Sequence, residues 1–202
     1  MGRHAKDTPT NFHPAPVGTH IARAVKIVDI GTQHGEYQGK PNARNQFILF
    51  WELPTEMLDT EDGQRPFIIS KFYTNSLNEK ATLRADLVSW RGKEFSPEEL
   101  EDFDLMNILG KPCLVTVIEG EEKDKRKVSS VTGLPKGTVC PAQVNENFSF
   151  FIDEWDSTKF EGLSDGLKKM IEKSDEYKAM KNGQGQATVV ESQVPKDDDL
   201  SF

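Results

Sequence analysis

Apolar and polar residues alternate over three stretches in the first half of the chain, and each stretch predicts a β-strand. The first is 20–30 (HIARAVKIVDI), long enough to bend. Residues 31–45 (GTQHGEYQGKPNARN) read as a Gly/Asn/Pro loop. The second strand is 46–53 (QFILFWEL), ended by Pro54, and a polar excursion (TEMLDTEDGQR) leads to the third, 66–74 (PFIISKFYT). The period then changes. Ser76-Leu-Asn-Glu79 has the form of a capping box and predicts a helix through Trp90, with Leu83, Leu87 and Trp90 along one face. Ser96-Pro97-Glu98-Glu99 is a second box with proline at the first helical position, opening a short helix that ends near Gly110. Cys113–Glu119 (CLVTVIE) predicts a fourth strand, Gly120–Lys127 a charged turn, and Val128–Leu134 a fifth strand. Residues 148–152 (FSFFI) suit one more strand. Over 163–180, Ser164 stands as an N-cap, and Leu167, Met170, Ile171 and Tyr177 form a helical stripe.

The order β-β-β-α-β-β is that of the OB-fold. The predicted class is therefore mostly β with helices: a five-stranded OB barrel, a C-terminal helical extension and a disordered acidic tail. Residues 1–18, with Pro9, Pro14, Pro16 and Gly18, form an arm. Residues 19–137 form the barrel, 138–181 an extension packing on it, and 182–202 a flexible polar tail.

Composition narrows the class. The chain has 202 residues, enough for one ordinary domain with appendages. No apolar run approaches the ~20 residues of a membrane helix, and MGRHAKDTPTNFHPAPVG has no secretory h-region. A soluble protein of the cytoplasm is expected, with Cys113 and Cys140 reduced. The net charge is −8. Residues 1–140 hold 18 Lys+Arg against 20 Asp+Glu, and 141–202 hold 7 against 13. The acidity thus belongs mainly to the C-terminal part, and an anionic ligand meets a nearly neutral body.

No catalytic or metal signature stands out. His4, His13, His20 and His34 are scattered, and no His-Glu-x-x-His, Cys-x-x-Cys or Walker loop occurs. Glu98, Glu99, Glu101, Asp102 and Asp104 resemble a nuclease cluster in composition, but acids at a helix start also favour its dipole. No enzyme activity, cofactor or metal is expected.

The chain closes on Asp197-Asp198-Asp199-Leu200-Ser201-Phe202. This ending resembles that of bacterial single-stranded DNA-binding proteins, Asp-Asp-Asp-Ile-Pro-Phe, with Leu-Ser in place of Ile-Pro. Five further segments are similar to a phage-encoded single-stranded DNA-binding family with an OB core. They are Ser70-Lys-Phe-Tyr-Thr74, Leu83-Arg-Ala-Asp-Leu-Val-Ser-Trp-Arg-Gly92, Phe103-Asp-Leu105, Leu109-Gly-Lys-Pro-Cys113, and Ser129-Ser-Val131 with Leu134-Pro-Lys-Gly137. The resemblance implies sequence-independent binding of single strands in phage DNA replication, recombination or repair, inside the bacterial host. It also implies a tail, Asp197, Asp198, Asp199, Leu200 and Phe202, that recruits replication or recombination proteins.

Such a protein needs a basic groove and aromatic platforms, since every base offers a π-face. On strand two the candidate platforms are Phe47 and Trp51; on strand three, Phe67, Ile69, Lys71 and Tyr73 share a face that the lysine marks as wet, opposite Ile68, Ser70 and Phe72, so Lys71 with Tyr73 is the best pair. The basic candidates are Arg23 and Lys26 on strand one, Lys40 and Arg44 in the first loop, and Lys123, Lys125, Arg126 and Lys127 between strands four and five. Arg91, with Gly92 and Lys93, follows the helix within reach of a phosphate. The competing reading is that most of these aromatics are barrel core, Phe47 above all, while the polar handles of Trp51 and Tyr73 tolerate a wet surface. A second reading is an OB-like replisome or recombination adaptor without direct DNA affinity. Monomer and dimer both remain open.

Overall fold

A computed structural model describes residues 13–61, 63–122 and 125–187. The elements are β1 (Gly18–Tyr37), β2 (Lys40–Thr60), β3 (Gly63–Thr74), α1 (Thr82–Arg91), α2 (Pro97–Glu101), a 3-10 turn (Leu105–Ile108), β4 (Pro112–Glu119), β5 (Arg126–Thr132), β6 (Phe148–Phe150), α3 (Ser157–Glu161), α4 (Asp165–Lys173) and α5 (Asp175–Ala187). The strands form one six-stranded antiparallel sheet in the order β3-β2-β1-β4-β5, with β6 on β1. The path runs from β3 to β5 and does not close. β1 meets β4 from Gly18 opposite Val117 to Arg23 opposite Pro112. The β4–β5 ladder shifts register between Thr116 and Val117.

The expected 31–45 loop is a hairpin. β1 and β2 run for 20 and 21 residues and turn only at Gln38-Gly39. Both turn residues are left-handed, at φ 51° and 75°. That pair matches the twist of the flanking strands, as two-residue hairpin turns require. Gly31, Gly35, Pro41, Asn42 and Asn45 lie on the hairpin's arms, which pair within the sheet. Pro54 does not end β2, because a proline removes one donor from the ladder and no more.

The two capping boxes part company. Ser76 Oγ accepts from the Asn78 N–H at 3.1 Å, and Asn78 Oδ1 from the Lys80 N–H at 3.1 Å. These local bonds satisfy the backbone in turns, so α1 starts later, at Thr82, with Ala81 as an uncapped start. Its buried face is Leu83, Leu87 and Trp90, as the spacing predicts. The second box forms in full: Ser96 Oγ accepts from the Glu99 N–H at 3.2 Å, and Glu99 Oε2 from the Ser96 N–H at 3.0 Å. The C-terminal helical stripe is two helices, α4 and α5, preceded by the short α3. It breaks at buried Ser174, whose Oγ donates to the Ile171 carbonyl at 2.6 Å and accepts from the Tyr177 N–H at 3.1 Å.

The chain divides into two compact units that share the long strands. The first takes the described residues of 1–26, 49–71 and 76–148. Its core holds Trp51, Leu53, Leu87, Val115 and Cys113, whose thiol is pushed up by burial. Within it, buried Glu52 accepts from the Val144 N–H (2.9 Å), the Asn145 N–H (2.9 Å) and Asn145 Nδ2 (2.7 Å), fastening that loop to β2. The second takes 27–48, 72–75 and 149–187, with Ile27, Ile30, Phe47, Phe150, Phe160 and Ile171 inside. Here Glu176 ties α5 to β1 and β2, accepting from the Thr32 N–H and Oγ1 at 2.7 Å each and from Asn45 Nδ2 at 3.2 Å. Gly31, at φ 65°, makes this approach feasible, since a Cβ there would lie 2.5 Å from Glu176 Oε2. Both cysteines are free thiols. Among the described residues no helix is long and apolar enough to cross a membrane.

Candidate functional site

The structure corrects the predicted aromatic platforms. Phe47, Trp51 and Tyr73 are 2%, 0% and 2% exposed, so all three are core and none offers a ring face for stacking. Phe47 stacks on Tyr73 at 5.7 Å, and Trp51 lies 6.5 Å from Trp90. The faces of β3 are the reverse of those inferred from its lysine. Ile69 and Tyr73 point inward, while Ile68 and Phe72 are 45% and 51% exposed. Lys71 shares the inward face because Asp86 of α1 meets its ammonium at 2.7 Å. Two charges neutralised in place are tolerated where one alone is not.

Three basic candidates are part of the framework. Arg23 donates to the carbonyls of Gly110 (2.6 Å) and Pro141 (2.9 Å), bracing two loops. Lys26 lies over the rings of Phe50 and Phe148, at 5.3 and 4.8 Å, and its burial lowers its pKa. Arg126 Nε donates to the Ala15 carbonyl at 3.0 Å, holding the chain that precedes β1. Lys40 and Arg44 are exposed on the β1–β2 hairpin. Lys125 and Lys127 are exposed at the β4–β5 hairpin, Lys127 paired with Glu121 at 2.6 Å. Lys123 and the tail residues Asp197–Phe202 lie outside the described residues.

Arg91 is placed differently. α1 ends at this residue because Gly92 adopts φ 67° and donates its N–H to the Val88 carbonyl. The end of the helix is pinned twice. Trp90 Nε1 donates to the Pro112 carbonyl at 2.8 Å, and the Gly133 N–H donates to the Ser89 carbonyl at 3.1 Å. Gly133 is needed for this contact, since a Cβ would fall 2.8 Å from the Trp90 carbonyl oxygen. The helix end, the start of β4, the chain leaving β5 and the α2–3-10 segment then enclose an open groove of about 860 Å³. It lies wholly within the first unit.

Arg91, Lys93 and Lys111 supply three cations to this groove, and Glu99 is the one carboxylate among its described lining residues. Trp90, Phe103 and Ile108 supply apolar surface, and Asn107 a neutral amide. The Arg91 guanidinium packs over Phe95 at 4.3 Å and Phe103 at 5.3 Å, which fixes its plane. It is ion-paired with Glu99, and Lys93 reaches the same oxygen at 3.5 Å. Arg91 Nη1 has no hydrogen-bond partner among the described residues. The Ser96 N–H, then Arg91 and Lys93, hold the Glu99 carboxyl below the usual glutamate range. A partly apolar groove with one cation held over aromatic rings and two exposed lysines suits a polyanion with flat, apolar units.

Sequence reasoning found Arg91 and Lys93 and missed Lys111 and Phe103 as a site. The available signal was the set of resembling segments. Parts of Leu83–Gly92, Phe103–Leu105, Leu109–Cys113 and Leu134–Gly137, far apart in sequence, all line this one groove. No protein-family model matches the chain, and no curated protein matches it.

Proposed function

We propose that the chain binds single-stranded DNA without sequence preference, as a non-enzymatic protein of phage replication, recombination or repair in the host cytoplasm. The observation that carries this reading is the groove of the first unit, where Arg91, Lys93 and Lys111 lie around half-buried Phe103. Cations track a phosphate backbone, and aromatic surface accepts any base; a stacked base is worth ~1–3 kcal/mol. The strand order β3-β2-β1-β4-β5, with helix between β3 and β4, supports an OB-type sheet as the scaffold. Asp197–Phe202 are then the segment that recruits replication or recombination proteins. Its deletion abolishes that recruitment and leaves DNA binding in place.

The test is a tryptophan-fluorescence titration with unlabelled poly-dT. Trp90 borders the groove, so quenching is expected at low salt. The affinity is expected to fall as salt rises, with a log–log slope of about −2 for three single-strand phosphate contacts. No binding at low salt refutes the reading and leaves the adaptor without DNA affinity. Magnesium-dependent loss of the oligonucleotide refutes the non-enzymatic assignment. Parallel titration with poly-U compares DNA with RNA.

A further inference from the structure

Glu99 stands where the groove's positive charge converges. One of its oxygens meets both Arg91 and Lys93, while the other accepts from the Ser96 N–H at 3.0 Å. A carboxylate and a phosphodiester present the same thing to a guanidinium: two oxygens sharing negative charge, received by the same fork of donors. We propose that Glu99 is a built-in competitor for the nucleic-acid phosphate, and that a single strand enters the groove by displacing this carboxylate from Arg91 and Lys93.

Three features make the exchange feasible. The Glu99 side chain is 31% exposed and that of Lys93 65%, so water and ligand reach the pair. Arg91 is held by Phe95 and Phe103 as well as by Glu99, so its guanidinium keeps its place when the carboxylate leaves. Glu99 in turn keeps the Ser96 N–H, so the displaced carboxylate retains a partner. The competitor then sets a threshold. A lone anionic group gains little by replacing one carboxylate, whereas a strand that also engages Lys111 and the Phe103 surface gains contacts that Glu99 does not offer. The groove thereby favours polymers over free phosphate.

This inference rests on the proposed DNA binding, and one experiment separates the two. Wild type and Glu99→Gln are titrated with poly-dT over a salt series. Glutamine preserves the capping box, in which Glu and Gln serve alike, and removes the charge. The expected result is an affinity about two- to tenfold higher for Glu99→Gln, from loss of a weak exposed ion pair. The salt slope stays near the wild-type value of about −2, because the strand makes the same three phosphate contacts in both proteins. The control, Ser96→Ala, weakens the cap and keeps the carboxylate, so its affinity stays at the wild-type value. Wild-type binding with equal or weaker binding by Glu99→Gln overturns the competitor and leaves the DNA-binding reading intact. An equal gain from Ser96→Ala also overturns it, by assigning the effect to a loosened α2. Failure of both folded proteins to bind overturns the DNA-binding reading and the competitor with it.

Discussion

Tyr73 and Phe72 are neighbours on β3 with opposite fates, and replacing each by alanine tests the facing of that strand. Tyr73 is 2% exposed and stacks on Phe47 at 5.7 Å. Truncating a buried aromatic ring removes its transfer free energy and leaves a cavity, about 3–5 kcal/mol together. Phe72 is 51% exposed. Half of a full Phe burial corresponds to about 1 kcal/mol. Against a total stability of ~5–15 kcal/mol, the first loss threatens folding and the second does not. In urea unfolding, Tyr73→Ala moves the midpoint strongly with the slope unchanged. In a thermal scan it lowers the melting temperature by ~6–20 °C, against ~2–4 °C for Phe72→Ala. Comparable losses from the two substitutions refute the inward placement of Tyr73. So does a Tyr73→Ala protein of native stability that has lost oligonucleotide binding, the outcome expected of a surface stacking residue.

Glu52→Ala strands the two backbone N–H groups and the amide that Glu52 now serves. Val144 and Asn145 are exposed, so water meets these donors once Glu52 is gone; a loss of about 1–3 kcal/mol is expected in urea unfolding, and unchanged stability contradicts the fastening role. Glu176 gives a pH dependence of definite sign. Partial burial pushes its pKa up, but the Thr32 N–H and hydroxyl outweigh this and hold the carboxyl below the usual glutamate range. A carboxylate depressed in the folded state contributes stability above its unfolded pKa and loses it as the pH falls through the folded value. Wild-type stability therefore declines on acidification below about pH 4.5 more steeply than that of Glu176→Gln; parallel pH profiles for the two proteins contradict the tie between α5 and β1.

The strand-rich order, the five main strands, the second capping box and the buried face of α1 were all legible, because each depends on local periodicity or a short cap. What was not legible depended on partners distant in sequence. Lys71 marked its face of β3 as wet, yet Asp86, 15 residues on, neutralises it inside the first unit. β3 carries large apolar residues on both faces, so alternation alone did not decide which turns inward. Arg23 and Arg126 read as ligand contacts from their charge, but they end on carbonyls 87 to 118 residues away and 111 residues away. Ser76 matched a capping box in spacing, and its hydroxyl closed a tighter local turn instead. The groove was legible only in pieces, because Arg91, Phe103, Lys111 and Gly133 become neighbours only when α1 docks on β4 and β5.

The most direct measurement is the salt-dependent poly-dT affinity of Lys93→Ala/Lys111→Ala set beside that of wild type. Both lysines are exposed, so the double variant keeps the fold, which its unfolding curve verifies. Removing two phosphate contacts is expected to weaken binding at low salt and to flatten the slope of log affinity against log salt by ~1.4. An affinity and slope identical to wild type would place the strand elsewhere and contradict the groove as the binding site.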